Sequence, residues 1–184
     1  MTMFNPLTAT NNSHMAITNS LKATINRLEV SVTEQVIRGY TERKEIVFEA
    51  KVSTAANGVG QRNGSECTPL GEHRIRAKIG ADHPQNTVFI GRRPSGEIYR
   101  QSMAVEQPQR DWILSRILWL CGNQSGFNRG GKVDTQRRYI YIHGAPDSHP
   151  MGMPSSHGCV KMCNSDIIQL FEQVAVGTIV NINQ

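Results

Sequence analysis

His143 and Cys159 stand 16 positions apart, and together they are equipped for acyl transfer through a thioester. A thiol becomes a strong nucleophile when a nearby imidazole removes its proton. The residues around the pair read Ile142-His143-Gly144 and then Ser156-His157-Gly158-Cys159-Val160-Lys161-Met162. A histidine at a strand end and a cysteine at the start of the next ordered segment can meet across a short loop. Gly158 removes a side chain just before the thiol, which lets backbone N–H groups approach a developing oxyanion. His157 is placed to orient the loop or polarise the site, and Ser156 to hold that histidine.

A second chemistry competes for the same residues. His143, His149, His157 and Cys159 offer four donors of the kind zinc accepts. The single residue between His157 and Cys159 is unlike the usual ligand spacing and counts against it, so no metal and no cofactor are expected. Cys163 lies one turn beyond the candidate nucleophile and reads as structural filler. Cys67 and Cys121 carry no assigned role. Two further residues are candidate substrate contacts. Arg129 sits in a glycine-flanked loop and has the guanidinium fork that suits a carboxylate. Tyr141 shares the face of His143 on a strand.

The elements that must position these groups are mostly strands. Leu28, Val30 and Val32 alternate with polar neighbours, and Gln35–Tyr40 and Ile46–Val52 continue the pattern. Residues 55–71 form a loop ending in Thr68-Pro69-Leu70-Gly71, followed by a strand over His73–Ile79. Thr87–Ile90 and Glu97–Tyr99 are short strands on either side of a turn at Arg93–Gly96. Asp111 to Cys121 reads as a short buried helix capped by Asp111 and ended by Gly122, with Trp112 and Trp119 suited to its packing. Arg138–Ile142, dense in aromatic and β-branched residues, is a strand that delivers His143. Ser165–Val174 is an amphipathic helix, and Ile179–Ile182 closes the chain as a strand.

The whole chain bounds these readings. Its 184 residues, 38% hydrophobic and 19% charged, suit one globular domain with a core of its own. The net charge of +5 is scattered, without the clustered stripe a nucleic-acid surface needs, so no nucleic-acid partner is expected and an anionic substrate is. No segment approaches the length of a membrane span. Residues 1–22 read as a flexible arm ahead of a catalytic domain over residues 23–184. Ser13-His14-Met15 resembles a cloning junction, so part of that arm is read as vector-derived. The arm lacks the features of a secretory signal, and the four cysteines suit a reduced set. Both favour the cytoplasm, with the periplasm as the alternative if a signal was removed.

The combination Ile142-His143-Gly144 and Ser156-His157-Gly158-Cys159 resembles the L,D-transpeptidase catalytic-domain (YkuD-type) family. So do Thr68-Pro69-Leu70-Gly71, Asn164-x-Asp166 and Val176–Val180, and the resemblance spans roughly residues 25–184. It implies a mostly β sandwich with two or three short helices, which agrees with the strand pattern. It implies a bacterial enzyme acting on peptidoglycan stem peptides, with Cys159 as nucleophile and His143 as base. His157 and Gly158 match the residues flanking the nucleophile. The backbone N–H groups of Gly158 and Cys159 would form the oxyanion hole, and a backbone carbonyl near Gly144 would orient the base. One departure is Lys161, where the family commonly has arginine; lysine keeps the charge but loses the planar fork. The expected substrate is the tetrapeptide stem, cut between meso-diaminopimelate and D-alanine. Without an export signal, hydrolysis by an L,D-carboxypeptidase in wall recycling is favoured. A periplasmic transpeptidase forming 3-3 cross-links is the alternative, and a non-catalytic peptidoglycan- or zinc-binding protein is the third reading. Oligomeric state is left open.

Overall fold

Alternation along the chain becomes alternation across a sheet. A computed structural model describes residues 24–184; the arm expected over residues 1–22 lies outside them. In β1 (Arg27–Ser31) Leu28 and Val30 turn inward, and in β2 (Val36–Tyr40) Ile37 and Gly39 do so. The chain continues through β3 (Ile46–Ser53), β4 (Gly71–Ile79), β5 (Thr87–Ile90) and β6 (Arg93–Ile98). Then come α1 (Gln101–Glu106), β7 (Leu114–Gly122), β8 (Tyr141–Ala145), β9 (Val160–Cys163), α2 (Asn164–Gln173) and β10 (Ile179–Asn183). The protein is mostly β, as expected.

The strands lie in the order β4-β10-β1-β2-β3-β9-β8-β7-β5-β6, and β4 also pairs with β7. That extra pairing curls the sheet back on itself, so its two halves pack around one core. Leu28, Ile37, Val52, Ile75, Leu118, Leu120, Ile142, Val160 and Val180 meet there, all fully buried. The stripe of Ile167, Leu170 and Phe171 expected on an amphipathic helix seals the same core from α2. Among the described residues no helix is long and apolar enough to cross a membrane.

Three sequence expectations are corrected. The helix expected over Asp111–Cys121 is instead β7, the strand between β8 and β4. Both of its faces are covered, so its apolar run lacks the period of two that would mark a half-exposed strand. The turn expected at Arg93–Gly96 lies at Gly91-Arg92, with β6 beginning at Arg93. The strand carrying His143 begins at Tyr141, so the histidine sits within the strand. Residues before it form a turn in which the Asp134 carboxylate accepts from the Gly130 and Arg137 N–H groups. Helix α1, not expected from the sequence, packs Met103 against Tyr99 and Trp112.

His73 is fully buried in β4. Its Nδ1 lies 2.9 Å from the Gly71 carbonyl and its Nε2 3.1 Å from the Thr135 hydroxyl, a neutral ring with both nitrogens satisfied. Burial lowers its pKa from 6.5 to about 4. The unfolded chain therefore takes up this proton first as pH falls. The stability His73 confers is complete above about pH 6.5 and is lost as pH drops toward 4, a change of about 3 kcal/mol. We expect Tm to fall across that window and His73→Gln to flatten the slope there. A wild-type slope unchanged in the variant would assign the acid sensitivity elsewhere.

Candidate active site

β8 and β9 run parallel, with Ile142 opposite Val160 and His143 opposite Lys161. Ile142 and Val160 face the core, so alternation turns Tyr141 and His143 to the other face. Cys159, one residue before β9, comes beside Tyr141. There it packs against a small cluster of Phe89, Ile117 and Tyr141, outside the main core.

The loop ahead of Cys159 is tied down at Ser156 and Gly158, on either side of His157. Gly158 has φ +124°, and a Cβ on it would approach Ile140 Cδ1 to 3.0 Å and the Cys67 carbonyl to 3.3 Å, so only glycine suits the position. The buried Ser156 hydroxyl donates to the Cys159 carbonyl (2.5 Å) and accepts from the Gly158 N–H (3.2 Å). Ser156 therefore braces the nucleophile's own turn, not His157. This commits one of the two N–H groups expected to face an oxyanion. The Cys159 N–H has no hydrogen-bond partner among the described residues. The Thr68 hydroxyl donates to the Gly158 carbonyl (3.0 Å) and accepts from the Ala55 N–H (2.9 Å). Arg138 donates to the carbonyls of Gly60, Gln61 and Cys67, stapling the loop that carries Thr68 to the strand side.

The Cys159 sulfur accepts from the Tyr141 N–H at 3.3 Å and lies 3.6 Å from the Tyr139 carbonyl, to which its S–H donates. Burial pushes this thiol up to about 12, against the pull of the Tyr141 N–H, so at neutral pH it is protonated and needs a base. His143 is fully buried. Its Nδ1–H donates to the Gly144 carbonyl at 2.8 Å, which leaves Nε2 with the lone pair. Nε2 is buried and has no hydrogen-bond partner among the described residues. Burial holds the imidazole below its usual pKa, while the Asp111 carboxylate pulls the other way. A protonated thiol and a neutral imidazole with a free lone pair thus occupy diagonal positions of one strand pair. A Cβ on Gly144 would meet Asn164 Oδ1 at 2.5 Å and the Leu114 carbonyl at 2.6 Å, so the residue whose carbonyl holds the ring must be glycine.

A cavity of about 330 Å³ is lined by Trp112, His149, His157, Lys161 and Asp111 among others, with neither His143 nor Cys159 in its wall. Lys161 Nζ is 3.0 Å from the Asp111 carboxylate. Burial raises the Asp111 carboxyl, but the charges of His143 and Lys161 more than offset this, and its net shift is downward. His157 is exposed at the cavity rim. His149 Nε2 lies 2.7 Å from the Ser155 hydroxyl. The four side chains weighed as zinc ligands do not converge on a metal site among the described residues.

Arg129 is exposed in a tight loop closed by the Gly126 N–H to its own carbonyl, and the arginine beside the nucleophile loop is Arg138. Tyr141 is buried, and its hydroxyl accepts from Arg92 Nη1 at 2.9 Å. Sequence reasoning missed Arg92, Arg138 and the site role of Asp111. Thr68 carried a signal through its Thr-Pro-x-Gly motif, whereas the others are brought in only by folding.

The family model described as the L,D-transpeptidase catalytic domain matches residues 25–182. The L,D-transpeptidase of Xylanimonas cellulosilytica (residues 123-326) is similar in fold, with TM-score 0.53 and 16% identity over 87% of this chain. An Enterococcus faecium L,D-transpeptidase, solved as a cysteine-to-serine mutant, has TM-score 0.51 and 15% identity over 86% of this chain. This chain spans 61% and 49% of those two chains. No curated protein sequence matches it significantly.

Proposed function

The chain belongs to the L,D-transpeptidase catalytic-domain family, and from that premise we propose that it is a cysteine L,D-carboxypeptidase acting on peptidoglycan tetrapeptide stems. The observation that carries the reading is the unpartnered Nε2 of buried His143, diagonal on the β8–β9 pair to the protonated thiol of Cys159. The thiol turns from the Tyr139 carbonyl and gives its proton to Nε2. The thiolate attacks the carbonyl between the L-centre of meso-diaminopimelate and D-alanine, and the Cys159 N–H faces the oxyanion. As the C–N bond breaks, His143 returns the proton to the departing amine of D-alanine, leaving a thioester on Sγ. Water, deprotonated by His143, then attacks the thioester. The products are a tripeptide carboxylate and the restored thiol.

Hydrolysis in the cytoplasm is the part of this reading that concerns acceptor and place. The four cysteines Cys67, Cys121, Cys159 and Cys163 are all free thiols, which supports a reducing compartment. We expect free tetrapeptide in ¹⁸O-water to yield D-alanine and a tripeptide with label in its new carboxyl group, read by mass spectrometry. Fractionated cells expressing the untagged native gene should hold the protein in the cytoplasm. Diaminopimelate-to-diaminopimelate dimers formed from sacculi by a periplasmic protein would instead establish the cross-linking transpeptidase.

A further inference from the structure

Arg92 occupies an unusual place. It is the second residue of the two-residue turn Gly91-Arg92 between β5 and β6, with φ +53° at Gly91 and +67° at Arg92. Such turns favour glycine or asparagine there, because a left-handed backbone strains a longer side chain. The side chain is nonetheless held firmly. Its guanidinium carbon lies 4.5 Å from the Trp119 ring and 4.8 Å from the Tyr139 ring, resting against both of these neighbouring aromatics, and Nη1 donates to the Tyr141 hydroxyl. Tyr139 and Tyr141 are also the two residues whose main chain holds the Cys159 sulfur. The guanidinium is thus fixed through the same short segment that fixes the nucleophile.

The cations whose charge acts on the nucleophile are committed. Arg138 spends its guanidinium on three backbone carbonyls, and Lys161 is paired with Asp111. Arg92 Nε and Nη2 have no hydrogen-bond partner among the described residues, and the residue is partly exposed beside the exposed Tyr139 ring. A planar donor edge, pre-oriented, partly open to solvent and anchored on the two tyrosines that hold the thiol, is built for a bidentate anion.

We propose that Arg92, held against Trp119 and Tyr139, is the residue that recognises a carboxylate of the substrate and so sets which peptides reach Cys159. The proposal rests on the peptide-substrate reading above. The two carboxylates on the residues flanking the cleaved bond are the candidates: that of the terminal D-alanine, and that on the D-centre of diaminopimelate.

The test uses equilibrium binding by calorimetry to the Cys159→Ala protein, which holds substrate without turning it over. Three ligands are compared: the natural tetrapeptide, its C-terminal carboxamide, and the analogue with L-lysine in place of diaminopimelate. Each is measured with Arg92 present and with Arg92→Gly, which relieves the left-handed strain and so keeps the turn while removing the guanidinium. With Arg92, deleting the recognised carboxylate should weaken binding about 10- to 100-fold, the scale of a charge-assisted pair. With Arg92→Gly the same deletion should have no effect, and Arg92→Lys should fall between. Coupling to the carboxamide assigns the D-alanine carboxylate; coupling to the lysine analogue assigns the diaminopimelate one. Equal weakening of all three ligands by Arg92→Gly would make Arg92 a brace for Tyr139 and Tyr141 and overturn the proposal, as would undetectable tetrapeptide binding. Coupling without turnover by the unmodified enzyme would uphold Arg92 and sink the carboxypeptidase reading.

Discussion

Cys159→Ala abolishes release of D-alanine from tetrapeptide, by more than a thousandfold on the scale of a lost covalent nucleophile, and leaves the fold in place. The change removes one sulfur from a partly exposed position outside the main core, so little packing is lost. The braces of the loop, Ser156 to the Cys159 carbonyl and Thr68 to the Gly158 carbonyl, use backbone groups that alanine retains. A strained acyl donor such as a carbapenem, expected to acylate the native thiol, should add no mass to the variant. The checks are single-turnover assays, intact-protein mass spectrometry and thermal melting. Activity near that of the native protein, or a carbapenem adduct mapped to Cys67 or Cys163, would remove the thioester from the mechanism.

The parts of this molecule that were legible in its sequence are those with local causes. His143 and Cys159 announced themselves because thiol, imidazole and flanking glycines must recur at fixed positions for the chemistry to work. The alternation of Leu28 and Val30 gave β1, and the 3.6-residue stripe of Ile167, Leu170 and Phe171 gave α2. β7 was illegible for a specific reason. Leu114 pairs with Gly144 and Ile117 with His143, so Ser115 and Arg116 form a bulge with no partner residues between. The bulge breaks the period of two, and both polar residues are buried. The Ser115 hydroxyl bonds Asn164 and the Asn86 N–H, and Arg116 donates to the His83 carbonyl. Polar residues spaced among apolar ones then imitate a helix.

The surroundings of the site were illegible because distant segments supply them. Lys161 departs from the arginine its family commonly has. Its partner is Asp111, fifty positions earlier, which by local rules looked like a helix cap. Arg92, just ahead of the turn expected at Arg93–Gly96, carried no assigned role. Only the return of β7 and β8 beneath the β5–β6 hairpin brings Trp119, Tyr139 and Tyr141 around it. Local chemistry thus identified the reacting atoms, while the groups that tune and feed them depended on the sheet closing.

His143→Ala lowers the chemical step about 100-fold or more, the usual scale for a lost general base, and changes KM little. The reason lies in the resting charges of the pair. Burial pushes the Cys159 thiol up to about 12, so almost no thiolate exists at neutral pH without a proton acceptor. His143 is suited to accept because its Nδ1–H is fixed on the Gly144 carbonyl and its Nε2 lone pair is free. The same burial depresses the imidazole pKa below 6.5. The base is therefore competent above that value and is lost as pH falls through its folded pKa. The native enzyme should show kcat rising along an acid limb below pH 6.5 and level above it. In His143→Ala that limb should disappear, replaced by a slow rate that climbs toward high pH as hydroxide ionises the thiol. An effect confined to KM, or an acid limb retained in the variant, would assign the base to another group, with His157 and His149 at the cavity rim the next to test.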